Sequence, residues 1–204
     1  VRKPGDIKAF IELHIEQGPV LEAEQLELGL VDVVVGISQL EITIEGKAGH
    51  AGTTPMAGRV DALRCAAQLV EAVAQLAEQA GDGAVATVGK LAVYPNGANV
   101  IPSKVTMSVD IRAKNAALIE QIIQGIQQKL HQIQQQRFTS TLTERIRVAP
   151  QQLDPKIHQC LAQESERLGY RFKTMPSGAG HDAMIFASIA PVGLVFVPSR
   201  HGLS

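Results

Sequence analysis

Apolar residues alternate along two adjoining stretches of the chain, and the phase of the alternation changes between them. Val31, Val33, Val35 and Ile37 occupy odd positions, whereas Leu40, Ile42 and Ile44 occupy even ones. Side chains two apart on a strand share a face, so a strand that exchanges its apolar face midway passes from one core to another. Gly36 is the natural crossing point. Further on, Thr54 before Pro55 predicts a helix start, an N-cap followed by proline at the first helical position. Val60, Leu63, Ala67, Val70, Ala74 and Ala77 then recur at helical spacing, opposite Asp61, Arg64, Gln68, Glu71, Gln75 and Glu78. This is an amphipathic helix ending near Gly81.

Two strand patterns follow, over residues 84–93 and 104–112, joined by the turn-rich YPNGANVIP. In the second, Val105, Met107, Val109 and Ile111 face one side, and Thr106, Ser108, Asp110 and Arg112 the other. A second helix opens at Asn115 and carries Ile119, Ile122, Ile126, Leu130 and Ile133 on one stripe. A last strand places Phe138, Leu142, Ile146 and Val148 in even phase. From residue 37 to 148 the order is therefore β-α-β-β-α-β, the ferredoxin-like pattern of an α+β fold, with two helices on one face of a four-stranded antiparallel sheet.

The flanks fall outside that unit. Residues 1–30 offer one alternating stretch, FIELHIE, and a short polar helix. Residues 149–204 offer a helix over roughly 153–168, a Gly-rich loop and the apolar strand at 192–197. A strand apolar on both faces expects helices on both sides and parallel neighbours. The two flanks read as remnants of a larger α/β domain into which residues 37–148 are inserted.

Composition narrows the function classes. Lys and Arg total 19 against 20 Asp and Glu, a formal charge of −1, which supplies no field for nucleic acid or an anionic membrane. With two Tyr, five Phe and no Trp, few side chains can stack on bases, and the strand at 104–112 lacks the aromatics of an RNA-recognition sheet. Nucleic acid and membrane are therefore not expected partners. Cys65 and Cys160 stand apart without a CxxC pattern, which argues against a disulfide framework and fits a reducing cytoplasm.

Five short segments concentrate polar chemistry. In ELHIEQG a strand puts Glu12, His14 and Glu16 on one face; imidazole is a good metal ligand, and a neighbouring carboxylate can orient it. In GKAGHAGTTPM, His50 sits between glycines that permit close approach, where an imidazole can stabilise an oxyanion or simply occupy a turn. YPNGANVIP holds Asn96, read as a turn former, and Asn99, a turn former or an amide donor to a ligand. Arg112, beside Asp110, offers a fork for a carboxylate or a local ion pair. In SGAGHDA, His181 and Asp182 follow two glycines ahead of a short helix, where backbone N–H groups could meet an anion. His131 and His158 lie on helices facing water, and His201 has no evident partner.

Taken in order, ELHIEQGPVLE, AGHAGTTPM, PNGANVIP, VDIRA and SGAGHDA resemble the signature blocks of the bimetal amidohydrolases that include N-carbamoyl-L-amino acid hydrolase, β-ureidopropionase of the yeast type and allantoate amidohydrolase. The resemblance runs along essentially the whole chain. It implies a zinc-peptidase-like catalytic domain with two divalent metals, zinc or manganese, and an inserted ferredoxin-like lid that mediates homodimerisation. Residues 1–36 and 149–204 would be parts of the catalytic domain, and residues 37–148 the lid. By motif, His14 corresponds to a metal ligand and Gln17 to a substrate-contacting amide. His50 corresponds to the lid histidine that polarises the scissile carbonyl, Asn99 and Arg112 to the groups that hold the substrate carboxylate, and His181 to a substrate-binding histidine. The implied reaction is hydrolysis of a ureido C–N bond by a metal-activated water, with a Glu moving the proton.

The same resemblance implies ligands and a general base that these 204 residues do not include: a His, an Asp and two Glu ahead of residue 1, which supply the remaining upstream ligands and the base, and a ligand His directly after the GLS segment. Only His14 of the five expected ligands is present, and His201 is no substitute, so the 204 residues by themselves are expected to hold no stable metal pair and to be inert. The rivals are an aminoacylase or dipeptidase of the same superfamily and a non-catalytic dimerisation module.

Overall fold

In the computed structural model, which describes residues 3–134 and 137–202, the alternating FIELHI segment forms β1 (Phe10–Ile15). The ends of the two flanks and residues 135 and 136 of the Gln-rich IQQKLHQIQQQ tract lie outside the described residues. Past β1 the Glu16 carboxylate accepts hydrogen bonds from the Val20 and Leu21 amides at 2.9 and 2.8 Å and so caps the single turn α1 (Val20–Ala23). The strand expected to run through Gly36 is two strands. β2 (Leu28–Val34) ends before Val35, whose amide donates to the Ser177 carbonyl at 2.9 Å, and β3 (Gly36–Glu45) follows.

The chain continues through β4 (Gly49–His50), α2 (Ala62–Ala80), β5 (Val85–Tyr94), β6 (Val100–Ile101), β7 (Lys104–Ala113), α3 (Ala116–Gln134) and β8 (Thr139–Val148). It then forms β9 (Gln151–Gln152), α4 (Pro155–Arg167), β10 (Phe172–Ser177), α5 (Asp182–Phe186) and β11 (Val192–Val197). Two compact units result, one of Val1–Val35 with Pro150–Ser204 and one of Gly36–Ala149.

In the second unit β5, β7, β3 and β8 form a sheet in that order, every neighbour antiparallel. Leu40, Ile42 and Ile44 of β3 and Val105, Met107, Val109 and Ile111 of β7 share a buried core with α2 and α3. The other face carries Gln39, Asp110 and Arg112, with Arg112 opposite Ile37 of β3 and Val85 of β5. Asn115 starts α3 as the sequence suggests, its side-chain oxygen accepting from the Leu118 amide at 2.9 Å.

The start of α2 differs from expectation. Residues 51–54 form a turn, and the cap is Asp61, which accepts from the Leu63 and Arg64 amides at 3.0 and 3.2 Å. The buried stripe is Ala62, Cys65, Ala66, Leu69, Val73 and Ala77, while Ala67 and Ala74 face out. Alanines ring this helix, and each adds so little apolar area that the larger Leu69 and Val73 decide its rotation. Gly46 lies where the approach to α2 crosses the end of β3: a Cβ there would collide with the Val60 carbonyl, which accepts from the Lys47 amide at 2.8 Å.

β8 also departs from a simple alternation. Its register with β3 shifts between Gln39 and Leu40, which pair with Ile146 and Glu144, so Arg145 is bulged out and the phase reverses. Leu142 packs on the core, but Ile146 and Val148 turn to the other face and are 43% and 37% exposed.

In the first unit the sheet order is β1, β11, β2, β10, with β9 also on β2. β11 is parallel to β1 and antiparallel to β2, rather than flanked by two parallel strands. Helices do lie on both its faces. A Cβ on Gly193 would meet Ile157 and Leu161 of α4, while Val192, Leu194 and Phe196 join Ala183 of α5 in the core. β10 follows no clear apolar alternation and was not expected; it is held parallel to β2 through Phe172, Thr174 and Met175. Among the described residues, no helix is long and apolar enough to cross a membrane.

The two cysteines are free and differ in access: Cys65 is buried against the sheet, and Cys160 is exposed on α4. Burial, with the Asp61 carboxylate adding to it, pushes the Cys65 thiol up to about 11. Alkylation of the folded chain at pH 8 is therefore expected to modify Cys160 alone, with Cys65 reacting only after unfolding; rapid labelling of both thiols by mass spectrometry would contradict this packing.

Candidate functional site

The polar face of β1 is the one the protein encloses. Ile11 and Leu13, on the other face, are 57% and 69% exposed, while Glu12 and His14 are partly buried. His14 Nδ1 donates to the Ile15 carbonyl at 2.8 Å, which places the lone pair of the neutral ring on Nε2, the form a metal ligand requires. The His181 ring stands edge-on to it, with ring centres 4.8 Å apart.

His181 caps the start of α5 without a side-chain bond to it; the cap is made by Glu12 from across the sheet. Glu12 Oε2 accepts from the Ala183 amide at 2.8 Å, and its other oxygen is 3.6 Å from His181 Nδ1. Thus one backbone N–H of SGAGHDA, that of Ala183, is taken by the protein's own carboxylate. Ser177 Oγ lies 2.7 Å from His181 Nε2, so both edges of the ring are engaged, and its side chain is only 2% exposed. Desolvation, reinforced by His14, holds His181 below its ordinary pKa despite the opposing pull of Glu12 and Asp182. Donor atoms of Glu12, His14 and His181 lie within 4.8 Å of one another, at the wall of an open cleft of about 420 Å³ that Gly180 and Asp182 complete.

Glu16, which shares the sequence phase of His14, does not join this group, because its carboxylate caps α1. Gln17 follows with φ of 56°, a left-handed conformation uncommon outside glycine, and its side chain is exposed. The turn at 200–202 is fastened to the same region: the His201 amide donates to Glu22 at 2.8 Å, and Gly202 has no room for a Cβ beyond contact with the Gly18 backbone. His201 is thus held by its backbone, and His158 by Thr174 Oγ1 at 3.2 Å from Nε2.

The other candidates belong to the second unit. His50 lies on the short ladder of β4 with β6, opposite Val100, and the Ala51 amide donates to the Asn99 carbonyl at 2.8 Å, so His50 and Asn99 are brought together. His50 Nδ1 accepts from the Gly52 amide at 3.1 Å, leaving the proton of the neutral ring on an exposed Nε2, a donor. Arg59 straps down the loop that follows, donating to the carbonyls of Ala51 at 2.6 Å and Thr54 at 2.7 and 3.0 Å. Asn96 adopts a left-handed φ of 60°, as a turn former would.

Arg112 donates to Asp110 from Nε at 2.7 Å and from Nη2 at 3.4 Å, and Gln39 Nε2 donates to Asp110 Oδ2 at 2.9 Å. Desolvation pushes the Asp110 carboxyl upward, but the hydrogen bonds from Arg112 and Gln39 and the Arg112 charge outweigh it, so the group lies below the usual carboxylate range. The Asp110 hydrogen bond in turn raises Arg112. Arg59, Ser177 and Gln39 escaped the sequence reading: Gln39 acts through a partner 71 residues away and Arg59 through backbone carbonyls, while Ser177, four residues before His181, reads as an ordinary loop serine.

Residues 34–137 match the peptidase dimerisation domain, and the chain belongs to that family. Its relatives include amidohydrolases. It is 40% identical over 204 residues to an N-carbamoyl-L-amino-acid amidohydrolase of Paenarthrobacter aurescens, covering 100% of this chain and 50% of the relative. It is 36% identical over 200 residues to the allantoate amidohydrolase of Escherichia coli, covering 98% of this chain and 49% of that one. Among solved structures it resembles a hydantoinase/carbamoylase family amidase from Burkholderia multivorans with a TM-score of 0.94 and 38% identity, over 97% of this chain and 48% of the other. The chain thus spans about half the length of the relatives it matches.

Replacing Glu12 by Ala is expected to destabilise the first unit by about 1.5–3 kcal/mol, the scale of a hydrogen bond to a charged group. The Ala183 amide should then exchange with solvent faster. Unaltered protection at Ala183 would exclude the anchoring role.

Proposed function

We propose that the chain is the lid and C-terminal part of a metal-dependent amidohydrolase that cleaves the ureido C–N bond of N-carbamoyl-L-amino acids or allantoate. The observation that carries the reading is His14, held by the Ile15 carbonyl with Nε2 as its ligand atom and grouped with Glu12 and His181. Identity of 40% along the whole chain to an N-carbamoyl-L-amino-acid amidohydrolase supports it. Residues 1–36 and 149–204 are then parts of the catalytic domain, and residues 37–148 the lid. The order β5, β7, β3, β8 under two helices supports a ferredoxin-like reading of that lid.

The donor set suits a divalent ion such as zinc or manganese at one point, since imidazole and carboxylate are its ordinary ligands. His14 would hold it, with Glu12 and His181 beside it; the 204 residues alone are read as inactive because the family resemblance draws the other ligands of a pair from outside them. When bound, the metals supply Lewis acidity and an acidified water. The chain's own residues do the remaining work. Arg112 and Asn99 bind the substrate carboxylate, Gln17 and His181 contact the substrate, and His50 Nε2–H stabilises the negative charge that grows on the ureido oxygen as water adds. Homodimerisation is assigned to the lid, the segment that matches a dimerisation domain.

In the complete enzyme, His14→Ala is expected to lower bound metal measured by elemental analysis. Arg112→Ala should raise KM for a carboxylated ureido substrate by roughly tenfold or more while metal content stays constant. Undiminished metal in the first variant, or preferred turnover of acyl or peptide substrates over ureido ones, would reject the assignment.

A further inference from the structure

The guanidinium of Arg112 is placed by β7 and β3 rather than by its own long side chain. Asp110 and Arg112 are two residues apart on β7 and share the face opposite the helices. Asp110 takes the Nε edge of Arg112 at 2.7 Å, and Gln39, directly across the ladder on β3, donates to the second Asp110 oxygen at 2.9 Å. The carboxylate is thus gripped from both sides, by its own strand and by its neighbour, at 29% side-chain exposure. An unrestrained arginine has several rotatable bonds to freeze when it meets an anion, and that ordering weakens binding. Here the torsions are settled before any ligand arrives.

We infer that Asp110, braced by Gln39, is a positioning residue that orients Arg112 for the carboxylate of the substrate and thereby sets the preference for carboxylated ureido compounds. This rests on the proposed role of Arg112. With Nε at 2.7 Å and Nη2 at 3.4 Å on Asp110, the direction from which the guanidinium meets a substrate carboxylate is set by the ladder of β3 with β7, and recognition depends on that direction. A negative charge beside an anion-binding group would ordinarily weaken it. The Gln39 amide offsets this by donating to the oxygen farther from the Arg112 Nε edge.

The test is steady-state kinetics of the complete enzyme on N-carbamoyl-L-alanine and on its uncharged counterpart, N-carbamoyl-L-alaninamide. Asp110→Ala is expected to raise KM for the acid about tenfold, with kcat, and KM for the amide, within about twofold of the parent. Asp110→Asn keeps an oxygen for the Nε–H and should recover most of the loss. Added to Arg112→Ala, the Asp110→Ala change should have no further effect, because the group it positions is gone. Gln39→Leu should give the same selective loss on a smaller scale, and it serves as the decisive variant should Asp110→Ala not fold.

If Arg112→Ala raises KM for the acid but neither Asp110→Ala nor Gln39→Leu does, Asp110 is not a positioning residue and the inference fails while the role of Arg112 stands. Equal losses on acid and amide, or a full additional loss in the Arg112→Ala background, would mark a merely structural contribution and overturn it too. A parent enzyme that turns over neither compound, or an Arg112→Ala variant with unchanged KM, removes the underlying reading and this inference with it.

Discussion

Side chains two residues apart on a strand point the same way, and both groups of candidate residues in this chain depend on that constraint. On β1 it puts Glu12 and His14 on the face that meets α5. On β7 it puts Asp110 and Arg112 on the face away from the helices, since Val109 and Ile111 are needed in the core. A one-residue slip of β7 would bury Asp110 and Arg112 in an apolar layer and expose Val109 and Ile111, and the same slip of β1 would turn Glu12 and His14 away from α5. The fold therefore secures its chemistry through the same register that secures its cores.

The polar residues at these positions are anchored by hydrogen bonds as well as by the sheet. Glu12 substitutes for a missing cap at α5, Glu16 caps α1, and Asp110 holds Arg112. Charge-assisted hydrogen bonds of this kind are stronger than neutral ones and define direction. The two histidines with identifiable tautomers differ in a consistent way. His14 spends its Nδ1 proton on a carbonyl and keeps a lone pair at Nε2, whereas His50 accepts at Nδ1 and keeps a proton at Nε2. The first arrangement suits a metal ligand and the second a hydrogen-bond donor.

Much of the architecture could be read from periodicity. The stripe from Ile119 to Ile133, the alternation in β7 and the phase change at Gly36 all rest on large side chains whose burial contributes enough to dictate orientation. Where side chains were small or the ladder irregular, the pattern misled. The alanines of α2 left its rotation and start undetermined until Asp61 and Leu69 were seen in place. The bulge at Arg145 reversed Ile146 and Val148, and β10 formed beside β2 with little apolar signal of its own.

The candidate site divides along the same line. The amino-acid sequence by itself determined which residue types stood two apart on strands or beside glycines, and therefore that His14, His50, Asn99, Arg112 and His181 were the positions to consider. Only the tertiary structure decided that Glu12 reaches Ala183 and that Gln39 braces Asp110, partners 171 and 71 residues apart. The reason is physical: alternation along a strand is a local property of the backbone, whereas a hydrogen bond between residues far apart in sequence exists only once sheets have chosen their neighbours and register.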